Sequence, residues 1–183
     1  MTNRSLLILA ALLAIGVSEV HSQSATVSVD ITLTSPQPSC SFSVSNDLDF
    51  GSAEKPATGS GSVTISATTG DRTASGVTVS GSYNVGQVTV SGTNVSDYTV
   101  TRSFPTTLTR SGGSLTFSGT WAQSNSSSSG YTAISGSSYS GTSGGIGTDL
   151  THYFRFGGTV GGIGFGDADG EYDGSITASA SCS

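Results

Sequence analysis

The sequence predicts an all-β fold: an antiparallel, immunoglobulin-like β-sandwich, preceded by a cleaved N-terminal signal helix. Three observations predict it. Alternation of apolar and polar residues at period two runs through most of the chain, and no convincing stretch has the 3.6-residue period of an amphipathic helix. The alternating segments are short and recur with Gly and Asn clustered between them, which is the spacing of sandwich strands joined by turns. Only 10% of the 183 residues are charged, against roughly 25% in an average soluble domain, so Lys and Arg are too few to lace surface helices with ion pairs. Ser, Thr and the 26 Gly supply the polarity instead.

The first element is a targeting segment. Arg4 precedes the apolar run LLILAALLAIGV at 6–17, which is shorter than the roughly 20 residues a membrane span requires. A basic flank, a short apolar core and small residues after it describe a secretory signal peptide. Residues 1–22 are assigned to it, with cleavage after Ser22 and with Val20 and Ser22 in the small-residue pockets. No Cys follows the run, which argues against a lipoprotein. The mature chain is expected to be exported and to carry no membrane span. Its first part, 23–38, reads as an N-terminal extension, and 39–183 as the sandwich domain.

In that extension, 25–34 is the cleanest strand of the chain. Ala25, Val27, Val29, Ile31 and Leu33 point one way, and Thr26, Ser28, Asp30, Thr32 and Thr34 the other. At about 3.3 Å per residue it spans roughly 33 Å. Pro36 and Pro38 then end it, because proline offers no ladder donor. The alternation restarts with Cys40, Phe42 and Val44, and continues with Leu48 and Phe50. Short strands are expected at 61–67, 76–80, 87–91, 97–102 and 114–121. The Ser- and Gly-rich stretch 122–147, with scattered Tyr131, Ile134 and Tyr139, reads as a long loop or irregular edge hairpin. Strand character returns at 149–160, where Leu150, His152, Phe154 and Phe156 share a face. A final strand at 171–182 sets Tyr172, Ile176, Ala178, Ala180 and Cys182 on one face.

Cys40 and Cys182 are the chain's two cysteines. In an exported protein a lone pair is most simply one disulfide, and closing a loop of about 140 residues is worth roughly 4–5 kcal/mol in the chain-entropy model.

Composition also excludes functions. A net charge of −6 leaves no basic surface for nucleic acid. An enzyme needs a nucleophile, a base and an orienting group. His152 is the one imidazole of the mature chain, and Asp149 falls on the opposite strand face. No Ser lies in a G-x-S-x-G elbow. His152 therefore reads as a residue of an aromatic core face, and no catalytic residue or cofactor is expected. No metal site is expected either. The one weak calcium candidate is the acidic turn at 166–173, where Asp167, Asp169 and Asp173 offer oxygens at alternate positions but lack a downstream bidentate Glu. Trp121, Tyr131, Tyr139 and Tyr172 could stack on sugars, and Asn94 and Asn125 lie in glycosylation sequons. The Gly161-Gly162-Ile163-Gly164 run opens no helix and so is no nucleotide loop.

Two features fit poorly with a self-contained sandwich. The strand at 25–34 is strongly apolar yet lies at a mature terminus, where chains are usually polar and frayed. The last strand has Ala178 and Ala180 where a core normally has larger residues, leaving a trough that could receive an N-terminal strand from the same chain or another copy.

The apolar alternating leader, the Cys after it, Leu48-Asp49-Phe50-Gly51 and the closing Gly170-Glu171-Tyr172-Asp173-Gly174 together resemble bacterial pilin-type subunits. The nearest likeness is to a secreted, pilin-like family described as a domain of unknown function, similar in layout to chaperone–usher fimbrial major subunits and spore-coat-U-type proteins. This resemblance spans about 25–182. It implies donor-strand complementation, in which the N-terminal strand of one subunit completes the sandwich of the next. Val27, Val29, Ile31 and Leu33 would be the donor side chains, and Phe42, Val44, Ile176, Ala178 and Ala180 would flank the acceptor groove. Partners would be other copies or related subunits, a periplasmic chaperone and an outer-membrane usher. The implied function is a structural subunit of a fimbria-like appendage or coat that supports cell adhesion. The alternative is a monomeric exported module that binds glycan or protein. One tension stands: a strand lying between the first and last strands would set their Cα atoms about 9–10 Å apart, beyond the roughly 7 Å limit for a disulfide. Either the bridge lies past the end of the groove, or those strands are neighbours in a closed domain.

Overall fold

The computed structural model describes residue 31 and residues 38–144 and 148–183. The signal peptide and the strand expected at 25–34 lie outside them, except Ile31, which is 79% exposed. The described residues contain strands, turns and bends and no helix, and every strand pairing among them is antiparallel.

The organising element is β12, Asp149–Gly164. One edge is shared by two strands in succession: β6 (Gly86–Thr93) pairs with 149–156, and β3 (Ser60–Ile65) with 158–164. Gly157 marks the handover, because a Cβ there would overlap the Ile65 carbonyl. The other edge pairs with β9, Gly113–Ser124, through 153–161. The sheet extends outward through β1 (Ser39–Asn46) beside β6 and β4 (Arg72–Ser75) beside β3, with β8 (Thr107–Arg110) and β10 (Thr132–Ala133) on β9. This makes eight strands. The glycine run 161–164 is the end of β12, with a register shift between Gly161 and Ile163 and Gly162 at φ 76°, a bulge after which pairing with β3 resumes at Ile163 while pairing with β9 has stopped at Gly161.

Two smaller sheets lie apart. One has the order β11 (Ser138–Thr142), β7 (Asp97–Ser103), β13 (Thr177–Cys182); the other pairs β2 (Ser52–Glu54) with β5 (Thr78–Ser80). Period-two alternation decides what each face does. Val88, Val90, Trp121, Leu150, Phe154 and Phe156 of the large sheet bury against Tyr98 and Val100 of β7, with Tyr139, Ala178, Ala180 and Cys182 partly buried around them. The outward partners are hydroxyls paired across strands, Ser41 with Ser91 at 2.8 Å and Thr101 with Ser179 at 2.8 Å. The abundant Ser and Thr are thus the solvent side of a sandwich-like layout.

Cys40 on β1 and Cys182 on β13 form a disulfide, their Cα atoms 6.0 Å apart. Packed sheets normally stand about 10 Å apart, so the two layers converge on this flank. A disulfide accords with an oxidising, extracytoplasmic environment.

Within the stretch 122–147, residues 122–144 hold more strand than their composition suggests. β9 runs on to Ser124, and β10 and β11 fall within the stretch. Tyr131 is buried on the outer face of the large sheet against Ala67 and Ala122, with the Arg155 guanidinium 4.0 Å from its ring centre. A few large side chains were enough, because each found an apolar patch elsewhere in the sequence. The final strand begins at Thr177 rather than at 171: Asp173 makes an isolated bridge to Thr109, and Tyr172 lies outside β13.

Candidate functional site

The inner face of the large sheet is covered unevenly. Its β6 side lies under the β11–β7–β13 sheet. Its β3 side carries a second buried cluster: Val63 of β3, Leu115 and Phe117 of β9, and Val160 and Ile163 of β12. Phe104 joins the two clusters and packs against both. Its ring meets Phe117 and Phe156 edge-on, each with centroids 6.1 Å away, and it rests on Gly119, where a Cβ would overlap it.

Above this second cluster lies a cleft of about 1010 Å³. The five buried side chains form its floor. One wall is the segment that leaves β1 and becomes β2, from Asp47 to Ala53 with Lys55; the other is the segment from Asp167 to Gly174, with Ile176 just before β13. β2 pairs with β5, and Asp49 with Asn84 in an isolated bridge. β13 pairs with β7. The volume sits at the upper end of the roughly 300–1,000 Å³ usual for ligand pockets.

The acidic turn is one wall of this cleft, and its Asp167 and Asp169 carboxylates are engaged. Asp167 accepts the Gly164 N–H at 2.7 Å, and Asp49 on the opposite wall accepts that of Gly51 at 2.8 Å. Lys55 Nζ reaches across to Asp169 Oδ1 at 2.8 Å and donates to the Asp167 carbonyl at 2.8 Å. This strap ties the two walls together. The Lys55 hydrogen bond, and then its charge, hold the Asp169 carboxyl below the usual carboxylate range. Asp173 is fixed by backbone hydrogen bonds to Thr109. The Asp167 and Asp169 carboxylates of the calcium candidate are thus turned to different donors, and among the described residues no group of three or more His, Cys, Asp or Glu is placed to hold a metal ion.

Of the residues expected to flank an acceptor groove, Ile176 alone lines this cleft. Phe42, Ile176, Ala178 and Ala180 pack, partly buried, against the main core, and Val44 is 65% exposed. Val27, Val29 and Leu33 lie outside the described residues. The four aromatic residues read as a sugar platform are dispersed. Trp121 is buried and donates its indole N–H to the Gly136 carbonyl at 3.0 Å, Tyr131 is on the outer face, Tyr139 is on β11, and Tyr172 stands at the cleft wall. Strand parity alone could not show this, because it assigns a face without saying which sheet the face belongs to. His152 does occupy an aromatic core face, with ring centroids 5.6 Å from Tyr98, 5.6 Å from Tyr139 and 5.2 Å from Phe154. Its Nε2 meets Gln123 Oε1 at 2.6 Å, and burial lowers its pKa.

The fold and its cleft define a disulfide-closed, all-β domain of antiparallel sheets with a cleft above part of its inner face. The family model described as Domain of unknown function (DUF4402) matches residues 40–181. The chain belongs to that family, whose matched span opens at one bridged cysteine and stops one residue short of the other. No curated protein and no solved structure matches the chain.

Proposed function

We propose that this protein is a secreted structural subunit of a fimbria-like surface appendage or coat. It is an immunoglobulin-like sandwich that assembles by receiving the N-terminal strand of another copy and supports cell adhesion. The observation that carries this reading is the cleft. Five apolar side chains from three strands form a floor that the β11–β7–β13 sheet does not reach and that Leu48, Phe50, Val79, Leu108 and Tyr172 only flank, and the chain owns a matching occupant in 25–34, whose Val27, Val29, Ile31 and Leu33 recur at period two. A strand laid over the floor would add backbone pairing at the walls and seat alternate side chains in it.

The disulfide is compatible with this assembly. Cys40 and Cys182 are absent from the cleft lining, so the bridge closes one flank of the sandwich while the strand enters elsewhere. A secretory leader and a disulfide both fit export. A periplasmic chaperone covering the cleft and an outer-membrane usher are the partners such an assembly calls for.

The test is removal of 23–34 from the mature chain. The shortened protein is expected to be monomeric and less stable, and a synthetic 25–34 peptide to restore its thermal stability in trans. A peptide carrying Val29→Asp and Ile31→Asp should restore nothing. An intact protein that stays monomeric at high concentration, together with a shortened one indifferent to the peptide, would overturn the proposal.

A further inference from the structure

A second pocket, of about 560 Å³, opens between the layers where the large sheet and β11 diverge. It arises from register. β12 pairs with β6 from Asp149 onward, but β9 joins the other edge of β12 only at Tyr153. The first residues of β12 therefore have no strand on that side. The chain leaves β9 at Ser124, and the gap is bounded by Gln123 and Asn125 below and by β11 above.

Its interior is aromatic and neutral-polar. The Tyr139 and His152 rings stack with an interplanar angle of 29°, and Tyr98 closes the group 6.1 Å from Tyr139. Burial, then the neighbouring Tyr139 hydroxyl, push the Tyr98 phenol up, so it stays neutral. His152 is only 5% exposed, and its ring nitrogen shares a hydrogen bond with the Gln123 amide inside the pocket. The ring contacts fix that imidazole, which in turn orients the amide. Gly141 on β11 is required here, because a Cβ would overlap the Tyr98 ring. At the mouth, exposed Asn125, Thr142, Thr151 and Asp149 add amide, hydroxyl and carboxylate groups.

We infer that this pocket is a binding site for a neutral pyranose, such as the terminal ring of a glycan. Tyr98 and His152 are 3% and 5% exposed, so the partly exposed Tyr139 ring is the one that meets the C–H face of a sugar, and an amide, hydroxyls and one carboxylate suit its ring hydroxyls. The volume falls within the range of small-ligand pockets. Asp149 is the one charged group in the lining, which disfavours uronic and sialic acids through like-charge repulsion. The site is separate from the strand cleft, so it works in the monomer and does not depend on assembly.

The test uses the mature full-length chain and side-chain NMR. The neutral probes are methyl glycosides of glucose, galactose, mannose, fucose and N-acetylglucosamine; the acidic probes are glucuronic acid and N-acetylneuraminic acid. At least one neutral glycoside is expected to shift the Tyr139 ring and Gln123 amide signals. Asn125→Ala and Asp149→Ala should each weaken that binding about tenfold with melting temperature unchanged, since both side chains lie at the surface. Asp149→Asn should raise affinity for the acidic probes. Presenting the preferred sugar free and as a glycoconjugate terminus separates a soluble-sugar site from a surface-glycan one, and a response to either supports the inference. No shift with any neutral glycoside, shifts confined to other residues, a preference for the acidic probes, or full affinity in both alanine variants would overturn it.

Discussion

Replacing both cysteines, Cys40→Ala with Cys182→Ala, isolates the effect of the disulfide, and its size follows from the fold. β13 remains held without the bridge: it pairs with β7 along its length, and the Ser183 N–H bonds the Asp97 carbonyl at 2.9 Å while its own carbonyl accepts the Ser96 N–H at 2.8 Å. Alanine at 182 also continues the small-residue face of Ala178 and Ala180. The loss therefore falls mainly on the unfolded chain, whose ends are no longer tied. With the cysteines 142 residues apart, the chain-entropy relation gives about 5 kcal/mol. For a domain of this length that lowers the melting temperature by about 10–20 °C. Urea titration followed by far-UV circular dichroism measures it, and the m-value should rise because the unlinked unfolded chain exposes more surface. A loss below about 1 kcal/mol with an unchanged m-value would refute the reasoning, since the unfolded chain would then gain no freedom from losing the link.

Three further outcomes follow from particular contacts. Gly119→Val drives a side chain into the Phe104 ring and should cost about 1–3 kcal/mol; Phe104→Leu in the same chain should recover part of it, as a double-mutant cycle would read. Burial lowers the folded-state pKa of His152 below the roughly 6.5 of the unfolded chain. The stability due to its neutral form is therefore complete above about pH 6.5, declines as the pH falls toward the folded-state pKa, and levels off below it. Urea midpoints across that window should show the decline in the native chain and not in His152→Gln. Lys55→Met cuts the strap across the cleft, removing an ion pair whose Asp169 partner is 88% exposed and one hydrogen bond to the Asp167 carbonyl. Thermal stability should barely change, whereas capture of the 25–34 peptide by the shortened chain should quicken and lose its salt dependence.

The local pattern was legible where it was regular. Alternation at Leu150, His152, Phe154 and Phe156 placed all four on one face, and they are buried there. It was less legible at Val44, which shares the parity of Phe42 but lies near the end of β1, where the register shifts and the side chain is exposed. Tyr131 and Tyr139, surrounded by Ser and Gly, gave no periodic signal, and their burial depends on partners as distant as Arg155 and His152. The second pocket left no local trace, because it exists only where β9 joins β12 four residues after β6 does.

Sequence by itself determined the all-β class, the inward phase of both cysteines, and the hydroxyl-rich outward faces, because a strand's side-chain period is a property of its own backbone. Which strands share a sheet, that the disulfide joins two layers, and that a cleft lies above Val63, Leu115, Phe117, Val160 and Ile163 depend on the folded chain. Those features arise from pairings between residues far apart in the chain, and no local alternation specifies which distant strand will lie beside or above another.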